Sequence, residues 1–133
     1  MLKTVSIPTI LIVDDDAAVR GILYDLLSEK YDCNTASMAE EALQYLEVEK
    51  YDAILTDLAM PGLTGFDLLK RVQQTDWETP VIFISGRGAE QDPEDLIELG
   101  AFAYVTKPFN LEEIEEVVER ALGQTQILGT TNT

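Results

Sequence analysis

The chain has 133 residues, enough for one domain, and its 46% hydrophobic and 26% charged residues are typical of a globular protein with a single core. Nine Lys and Arg against 25 Asp and Glu give a formal net charge of −16, which excludes the cationic surface that binds nucleic acids and opposes binding to anionic membranes. One cysteine and no histidine exclude an intrachain disulfide, a Ser–His or Cys–His catalytic pair and a His-ligated zinc site.

The first half of the chain predicts two strands and two helices. Residues 10–13 form a continuous aliphatic run, typical of a strand that is covered on both faces. Apolar residues at helical spacing then predict a helix whose buried stripe is Val19, Ile22, Leu23, Leu26 and Leu27. We expect Asp16 to cap this helix. A weaker strand at 33–36 precedes a second helix, whose start from Ser37 to Glu40 has the S-x-x-E form of a capping box.

The second half repeats this alternation three times. Strands are predicted at 53–56, 81–84 and 102–106. The third and fourth helices are predicted to face the core with Leu68, Leu69, Val72, Leu96, Ile97 and Leu99. We expect Asp92 to cap the fourth helix and Asn110 the fifth. The fifth helix is predicted to bury Ile114, Val117, Val118, Ala121 and Leu122, and to end at Gly123.

Five strands alternating with five helices predict an α/β fold, an open and doubly wound parallel sheet with helices on both faces. In such a sheet the carboxyl ends of all the strands lie at one edge, where ligands bind. Polar residues follow four of the strands at this edge: Asp14 to Asp16, Asp57, Ser85 and Lys107. If the first and third strands are neighbours, Asp14, Asp15 and Asp57 converge.

These residue types together indicate a phosphoryl site. Carboxylates that lie close together repel one another unless they share protons or bind a cation, and with no histidine the natural cation is Mg2+. Lys107 offers a positive charge for phosphate, and Ser85 offers a hydroxyl. A carboxylate can act as nucleophile and form an aspartyl phosphate. Cys33 is interpreted as a small core residue.

Each of these residues also has a purely structural interpretation. Asp57 taken alone suits a turn before Pro61, and a lone Lys107 suits a solvated charge at a strand end. Ser85 would then bond only to nearby backbone, and Tyr104 would be a static core aromatic. The glutamates of the last helix are interpreted as a solvent-exposed face of that helix.

Four blocks of sequence, in order and each at a predicted strand end, resemble the receiver domains of two-component systems. They are ILIVDDD at 10–16, LTDLAMPGLTG at 55–65, ISG at 84–86 and YVTKPF at 104–109. The resemblance covers about residues 8–122 and implies the flavodoxin-like strand order 2-1-3-4-5. We therefore expect an N-terminal extension at 1–7, the receiver domain at 8–122, and a polar tail or the start of a linker at 123–133.

The resemblance also implies an acceptor and a metal site. Asp57 would be the phosphoacceptor, and Asp14 and Asp15 would hold Mg2+. Asp57 itself and the backbone carbonyl of Ala59 would complete the protein ligands, and Mn2+ or Ca2+ would be the candidate substitutes.

Three further residues receive roles from the same resemblance. Lys107 would contact the phosphoryl oxygens, and Ser85 would move toward the phosphoryl group. Tyr104 would swing inward as Ser85 moves. The bond between Lys107 and Pro108 is often cis in relatives. The change would alter the surface formed by helix four, strand five and helix five.

The implied function is that of a bacterial, cytoplasmic phosphorelay protein. A histidine kinase or a histidine phosphotransfer protein, in trans or on a longer chain, would donate the phosphoryl group, and an output domain or a downstream protein would receive the signal. We expect no nucleic-acid or membrane binding by this domain. A phosphorylation-dependent dimer through helix four, strand five and helix five is a further alternative. The domain would catalyse its own phosphorylation and dephosphorylation without turning over a separate substrate.

Two other functions compete with this one. The first is a binding module with the same fold that signals without phosphorylation, which the intact set of acidic, hydroxyl and lysine residues argues against. The second is a phosphatase that works through an aspartyl phosphate. Such enzymes place a second acid two residues after the nucleophile, and here that position is Ala59.

Overall fold

A computed structural model of the chain describes residues 7–75, 78–86 and 93–129. Its strands are β1 (Thr9–Val13), β2 (Asp32–Ala36), β3 (Ala53–Asp57), β4 (Val81–Ser85) and β5 (Ala103–Thr106). Its helices are α1 (Ala17–Leu27), α2 (Ala39–Val48), α3 (Gly65–Gln73), α4 (Pro93–Glu98) and α5 (Leu111–Gly129). Each strand lies within one residue of its predicted bounds.

The five strands form one parallel sheet in the order β2-β1-β3-β4-β5, which confirms the predicted fold class. The pairs Val13 with Thr56 and Asp57 with Ile84 set the register at the carboxyl ends of the central strands. The chain reverses direction along the sheet between β1 and β3, because β2 lies on one side of β1 and all later strands lie on the other. That reversal places a crevice beside the ends of β1 and β3.

The core consists of one apolar layer on each face of the sheet. One layer packs α2, α3 and α4 against residues such as Leu11, Ile54 and Phe83. The other packs α1 and α5 against residues such as Ile12 and Leu55. The buried stripe predicted for α5 is confirmed in full, since Ile114, Val117, Val118, Ala121 and Leu122 are all buried. The sheet is thereby covered by helices on both faces.

Three apolar residues predicted to face the core are exposed instead. Ile22 of α1 is 49% exposed, and Ile97 and Leu99 at the end of α4 are 47% and 46% exposed. Helices α1 and α4 therefore bury a narrower apolar stripe than the sequence pattern suggests. The buried stripe is centred on Leu23 and Leu27 in α1 and on Leu96 in α4. The remaining apolar positions lie on the flank of each helix, where the sheet does not cover them.

The helix caps agree with prediction in part. The Asp16 side chain accepts hydrogen bonds from the N–H groups of Ala18 and Val19, as expected for an N-cap. Asn110 accepts from the N–H of Glu113 at 2.7 Å. The predicted capping box at α2 is wrong, because the Ser37 N–H and hydroxyl both donate to Glu41 rather than to Glu40.

Two further predictions concern the start of α4 and the end of α5. The predicted cap Asp92 lies outside the described residues. The prediction that Gly123 ends the last helix is wrong, since α5 continues to Gly129. A single glycine costs a helix only about 1 kcal/mol, and no proline follows to stop it.

Among the described helices, none has the length and apolar character needed to cross a membrane.

Candidate functional site

The carboxyl edge of the sheet brings the predicted site residues together. Asp14 follows β1, Asp57 ends β3 and Ser85 ends β4. Lys107 follows β5, and its N–H donates to the Ser85 carbonyl at 2.8 Å. Because β1, β3, β4 and β5 are successive neighbours, these four residues form one continuous row. The convergence expected from the sequence is therefore confirmed.

Lys107 lies between two buried carboxylates. Its Nζ is 3.2 Å from Asp14 Oδ2 and 3.3 Å from Asp57 Oδ2, and it donates a hydrogen bond to the latter. Asp14 is 1% exposed and Asp57 is 6% exposed, so water does little to screen either charge. The single ammonium thus joins the ends of β1, β3 and β5.

The environment of Asp57 disfavours its charged form. Burial and the neighbouring Asp14 carboxylate raise the pKa of Asp57 to about 6. The Lys107 ammonium and a hydrogen bond from the Ala59 backbone N–H act in the opposite direction but do not cancel the increase. Burial also opposes the charge of Lys107, yet the Asp57 and Asp14 carboxylates outweigh it and raise the pKa of Lys107. Lys107 is therefore a permanent cation at neutral pH.

The acidic residues fit a divalent cation. Asp14, Asp15 and Asp57 each offer one carboxylate oxygen, and these oxygens lie within 4.8 Å of one another. Ligand oxygens on one Mg2+ are at most about 4.2 Å apart, so a small inward movement suffices. Asp14 Oδ2 is buried and accepts no hydrogen bond, since the nearby Lys107 Nζ is not aligned for one. Asp15, by contrast, is exposed, which leaves one side of the cluster open to solvent.

Two side chains that the sequence reasoning missed support the backbone of the acidic residues. Arg20 donates from Nη1 to the Asp14 carbonyl at 2.9 Å. The Thr56 hydroxyl donates to the Asp57 carbonyl at 3.0 Å. Arg20 lies one helical turn after the cap Asp16. That spacing was the sequence signal that could have placed Arg20 beside the acidic residues. For Thr56 the only signal was a polar residue in an otherwise apolar strand.

The structure places Ser85 at the end of β4 and Tyr104 within β5, and each bonds to a group nearby in the chain. Ser85 is buried, and its hydroxyl donates to the Gly86 carbonyl at 3.3 Å, a bond to nearby backbone. Tyr104 is half-buried against the α2–α4 layer of the core, and its hydroxyl accepts from Thr106 at 3.4 Å. The peptide bond between Lys107 and Pro108 is cis. Ala59 is exposed at the start of the loop after β3.

Comparison with known proteins identifies a family. The model of the response regulator receiver domain matches residues 10–119. The chain is 37% identical over 119 residues to the alkaline phosphatase synthesis transcriptional regulatory protein PhoP of Bacillus subtilis. It is 35% identical over 117 residues to the DNA-binding transcriptional regulator NtrC of Rhizobium meliloti. The matched regions cover 89% and 87% of this chain, but only 50% and 24% of those two relatives.

Solved structures give the same result. A putative response regulator from Chloroflexus aurantiacus is 33% identical, with a TM-score of 0.81 over 89% of this chain and 99% of the other. A response regulator receiver domain protein from Clostridium thermocellum has a TM-score of 0.84 at 26% identity, over 91% and 98% of the two chains. The chain spans about half the length of most curated relatives that it matches, and about the full length of these two solved chains. The chain therefore belongs to the response regulator receiver domain family, the receiving component of two-component signal transduction.

Proposed function

We propose that Asp57 accepts a phosphoryl group from a phosphohistidine donor, with Asp14, Asp15 and Lys107 assisting the transfer. The observation that supports this most strongly is the placement of one lysine ammonium within 3.3 Å of two buried carboxylates at the switch point of the sheet. The donor would be a histidine kinase or a histidine phosphotransfer protein, and the receiver of the signal would be an output domain or a downstream protein.

The transfer follows from the chemistry of these groups. A carboxylate oxygen of Asp57 forms a bond to phosphorus as the bond between phosphorus and the donor nitrogen breaks, and the donor imidazole leaves with its electron pair. Asp57 must be ionised to attack, and its pKa of about 6 leaves most of the population ionised at neutral pH. Lys107 needs only a small movement to contact the incoming phosphoryl oxygens, because its Nζ already touches Asp57.

Mg2+ is the cation that the acidic residues suit. Asp14, Asp15 and Asp57 would hold it, together with the Ala59 carbonyl, and Mn2+ and Ca2+ are candidate substitutes. Bound there, the ion would neutralise charge on the phosphoryl oxygens. Three ionised carboxylates beside one ammonium leave a local charge of −2, which a divalent cation balances. Asp14 Oδ2, which is paired with Lys107 at 3.2 Å but accepts no hydrogen bond, would be one of its ligands.

The signal would leave the site through β4 and β5. Ser85 is buried at the end of β4, one residue beyond Ile84, the partner of Asp57 in the sheet. Its movement toward the phosphoryl group would open space that Tyr104 fills, and this would change the surface of α4, β5 and α5. The phosphoryl group would act by favouring one of two arrangements of that surface.

A small donor with a phosphorus–nitrogen bond tests this function without a cognate kinase. Phosphoramidate and Mg2+ should add one phosphoryl group to the wild type, measured by intact mass, and a chelator should prevent the addition. Asp57→Asn should gain none. The matched control is Asp52→Asn, which alters a carboxylate just before β3 at the opposite edge of the sheet and should label as the wild type does.

The same experiment separates the competing functions. Labelling of Asp57→Asn at the wild-type rate would refute the assignment of the acceptor. No labelling of any variant, combined with no Mg2+ binding, would favour a binding module that signals without phosphorylation. Steady hydrolysis of phosphomonoesters would favour a phosphatase, although Ala59 has no acidic group to protonate a leaving group.

A further inference from the structure

Thr56 is a buried polar residue that phosphoryl transfer does not use directly. It is 0% exposed near the end of β3, and its hydroxyl donates to the carbonyl oxygen of Asp57 at 3.0 Å. A buried hydroxyl costs free energy unless it is hydrogen-bonded, and valine has nearly the same shape without that cost. The hydroxyl therefore points to a task at the Asp57 backbone.

The Asp57 carbonyl lies where the hydrogen-bonded ladder between β1 and β3 stops. Val13 and Thr56 are the last paired residues of these strands. Asp14, the residue after Val13, donates its N–H to the Ala36 carbonyl on β2 and so adds no rung between β1 and β3. The Thr56 hydroxyl thus supplies a hydrogen bond to the Asp57 carbonyl beyond the last rung of the ladder.

The first residue of α3 approaches the same carbonyl from another side. A Cβ atom on Gly65 would overlap the Asp57 carbonyl oxygen and would lie 3.1 Å from Leu58 Cα. The Gly65 N–H donates to the Leu58 carbonyl at 2.9 Å, and the Leu58 N–H donates to the Ile84 carbonyl at 3.2 Å. The backbone at and after Asp57 is therefore fixed by contacts with β4, with α3 and with the Thr56 hydroxyl.

We propose that Thr56 is a positioning residue, whose hydroxyl fixes the backbone of Asp57 so that its carboxylate stays aligned with Asp14 and Lys107. This inference rests on the proposed function of Asp57. In-line phosphoryl transfer depends steeply on the position of the nucleophile, since misplacement by about 1 Å can cost a hundredfold in rate. Loss of one neutral hydrogen bond corresponds to a smaller effect, and we expect Thr56→Val to slow labelling about three- to tenfold.

A second buried threonine provides a matched control. The Thr79 hydroxyl donates to the Tyr51 carbonyl, also at 3.0 Å, but before β4, at the edge of the sheet opposite to the site. Thr79→Val therefore removes the same kind of bond and should lower the unfolding free energy by a similar amount. It should leave the labelling rate and the Mg2+ concentration for half-maximal labelling unchanged.

The experiment compares labelling rates by intact mass with phosphoramidate, for wild type, Thr56→Val, Thr56→Ser and Thr79→Val, each matched for folded fraction by thermal melts. Slow labelling of Thr56→Val alone, with Thr56→Ser restored close to the wild-type rate, would support the positioning role. Equal rates for Thr56→Val and Thr79→Val would overturn it, as would a Thr56→Ser variant as slow as Thr56→Val.

A wild-type protein that gains no phosphoryl group would test the two proposals separately. If the wild type does not label, Asp57 is not the acceptor under these conditions, and the positioning role is then decided by calorimetric titration with Mg2+. A weaker Mg2+ affinity in Thr56→Val than in wild type, Thr56→Ser and Thr79→Val would support it. Equal affinities in all four proteins would overturn it.

Discussion

The carboxyl group of Asp57 is buried beside a second carboxylate, and this placement lowers the stability of the folded protein when Asp57 is ionised. Burial and Asp14 raise its pKa to about 6, whereas in the unfolded chain it ionises near 3.8. Between these two values the folded protein binds more protons than the unfolded one, so the contribution of Asp57 to unfolding free energy falls as pH rises. That loss is complete once the pH has risen through the folded pKa of about 6.

Asp57→Asn removes this titration. The variant should gain stability over the wild type as pH rises from 4 to 7, by roughly 2–3 kcal/mol across the window, because each pKa unit corresponds to about 1.4 kcal/mol. Urea unfolding of both proteins at several pH values, without Mg2+, measures the difference. Asp25→Asn, on the exposed face of α1, is the control for loss of one charge. A stability difference that does not change with pH would contradict the account of Asp57.

Helix α1 contains a glycine that lowers the stability of the folded protein. Gly21 lies in its middle and is exposed, and a Cβ atom added there would meet nothing within 4 Å. Gly21→Ala should raise the unfolding free energy by about 0.5–1 kcal/mol, because alanine loses less backbone entropy in a helix than glycine does. Thermal unfolding should show an increase of about 2–4 °C.

Gly65 is the contrasting position for this test. At Gly65 the same substitution would force a Cβ atom against the Asp57 carbonyl, so Gly65→Ala should lower stability. A Gly21→Ala variant that is less stable than the wild type would indicate a constraint on α1 that the packing of this chain does not explain.

The elements themselves were largely predictable from the sequence. Apolar runs ending in polar residues located four of the five strands, because strands buried in the sheet must be apolar and their ends at the ligand edge need not be. The edge strand β2 is half polar and gave a weaker signal. The flanks of α1 and α4 were not predictable, since the spacing of Ile22 or Ile97 is helical whether or not the sheet extends beneath them. Nor could the sequence show that Glu41 rather than Glu40 reaches Ser37, because both lie in the first turn of α2.

The site was predictable as a set of residues but not as a set of contacts. Asp14, Asp57, Ser85 and Lys107 follow strands, and parallel topology alone brings strand ends together. That Lys107 touches both buried carboxylates depends on the order of the strands and on side-chain conformation, which periodicity does not encode. The support of Asp57 by Thr56 likewise depends on where the ladder between β1 and β3 ends.

For the molecule as a whole, the charge of −16 means that any salt stabilises it by screening, so metal binding must be distinguished from ionic strength. Mg2+ should raise the melting temperature more than NaCl of equal ionic strength, since the proposed site would bind it in the folded protein and not in the unfolded chain. At a concentration 100 times its dissociation constant the gain would be about 2.7 kcal/mol. Melting curves in the two salts measure this.

Asp14→Asn is the variant that makes this comparison specific. It removes a buried carboxylate from the cluster, so its melting temperature should respond equally to the two salts at equal ionic strength. Asp52→Asn, at the opposite edge of the sheet, should keep the additional response to Mg2+. An additional response that survives in Asp14→Asn would place the ion elsewhere.

The central claim is that Asp57 itself receives the phosphoryl group, and localising that group in the wild-type protein tests it most directly. After labelling with phosphoramidate and Mg2+, borohydride reduces an aspartyl phosphate to homoserine, and fragment-ion mass spectra of the peptides locate the reduced residue. Homoserine is expected at position 57, and its formation should depend on both Mg2+ and the donor. Reduction at Asp14 or Asp15, or a stable phosphate ester on Ser85 with position 57 unchanged, would contradict it.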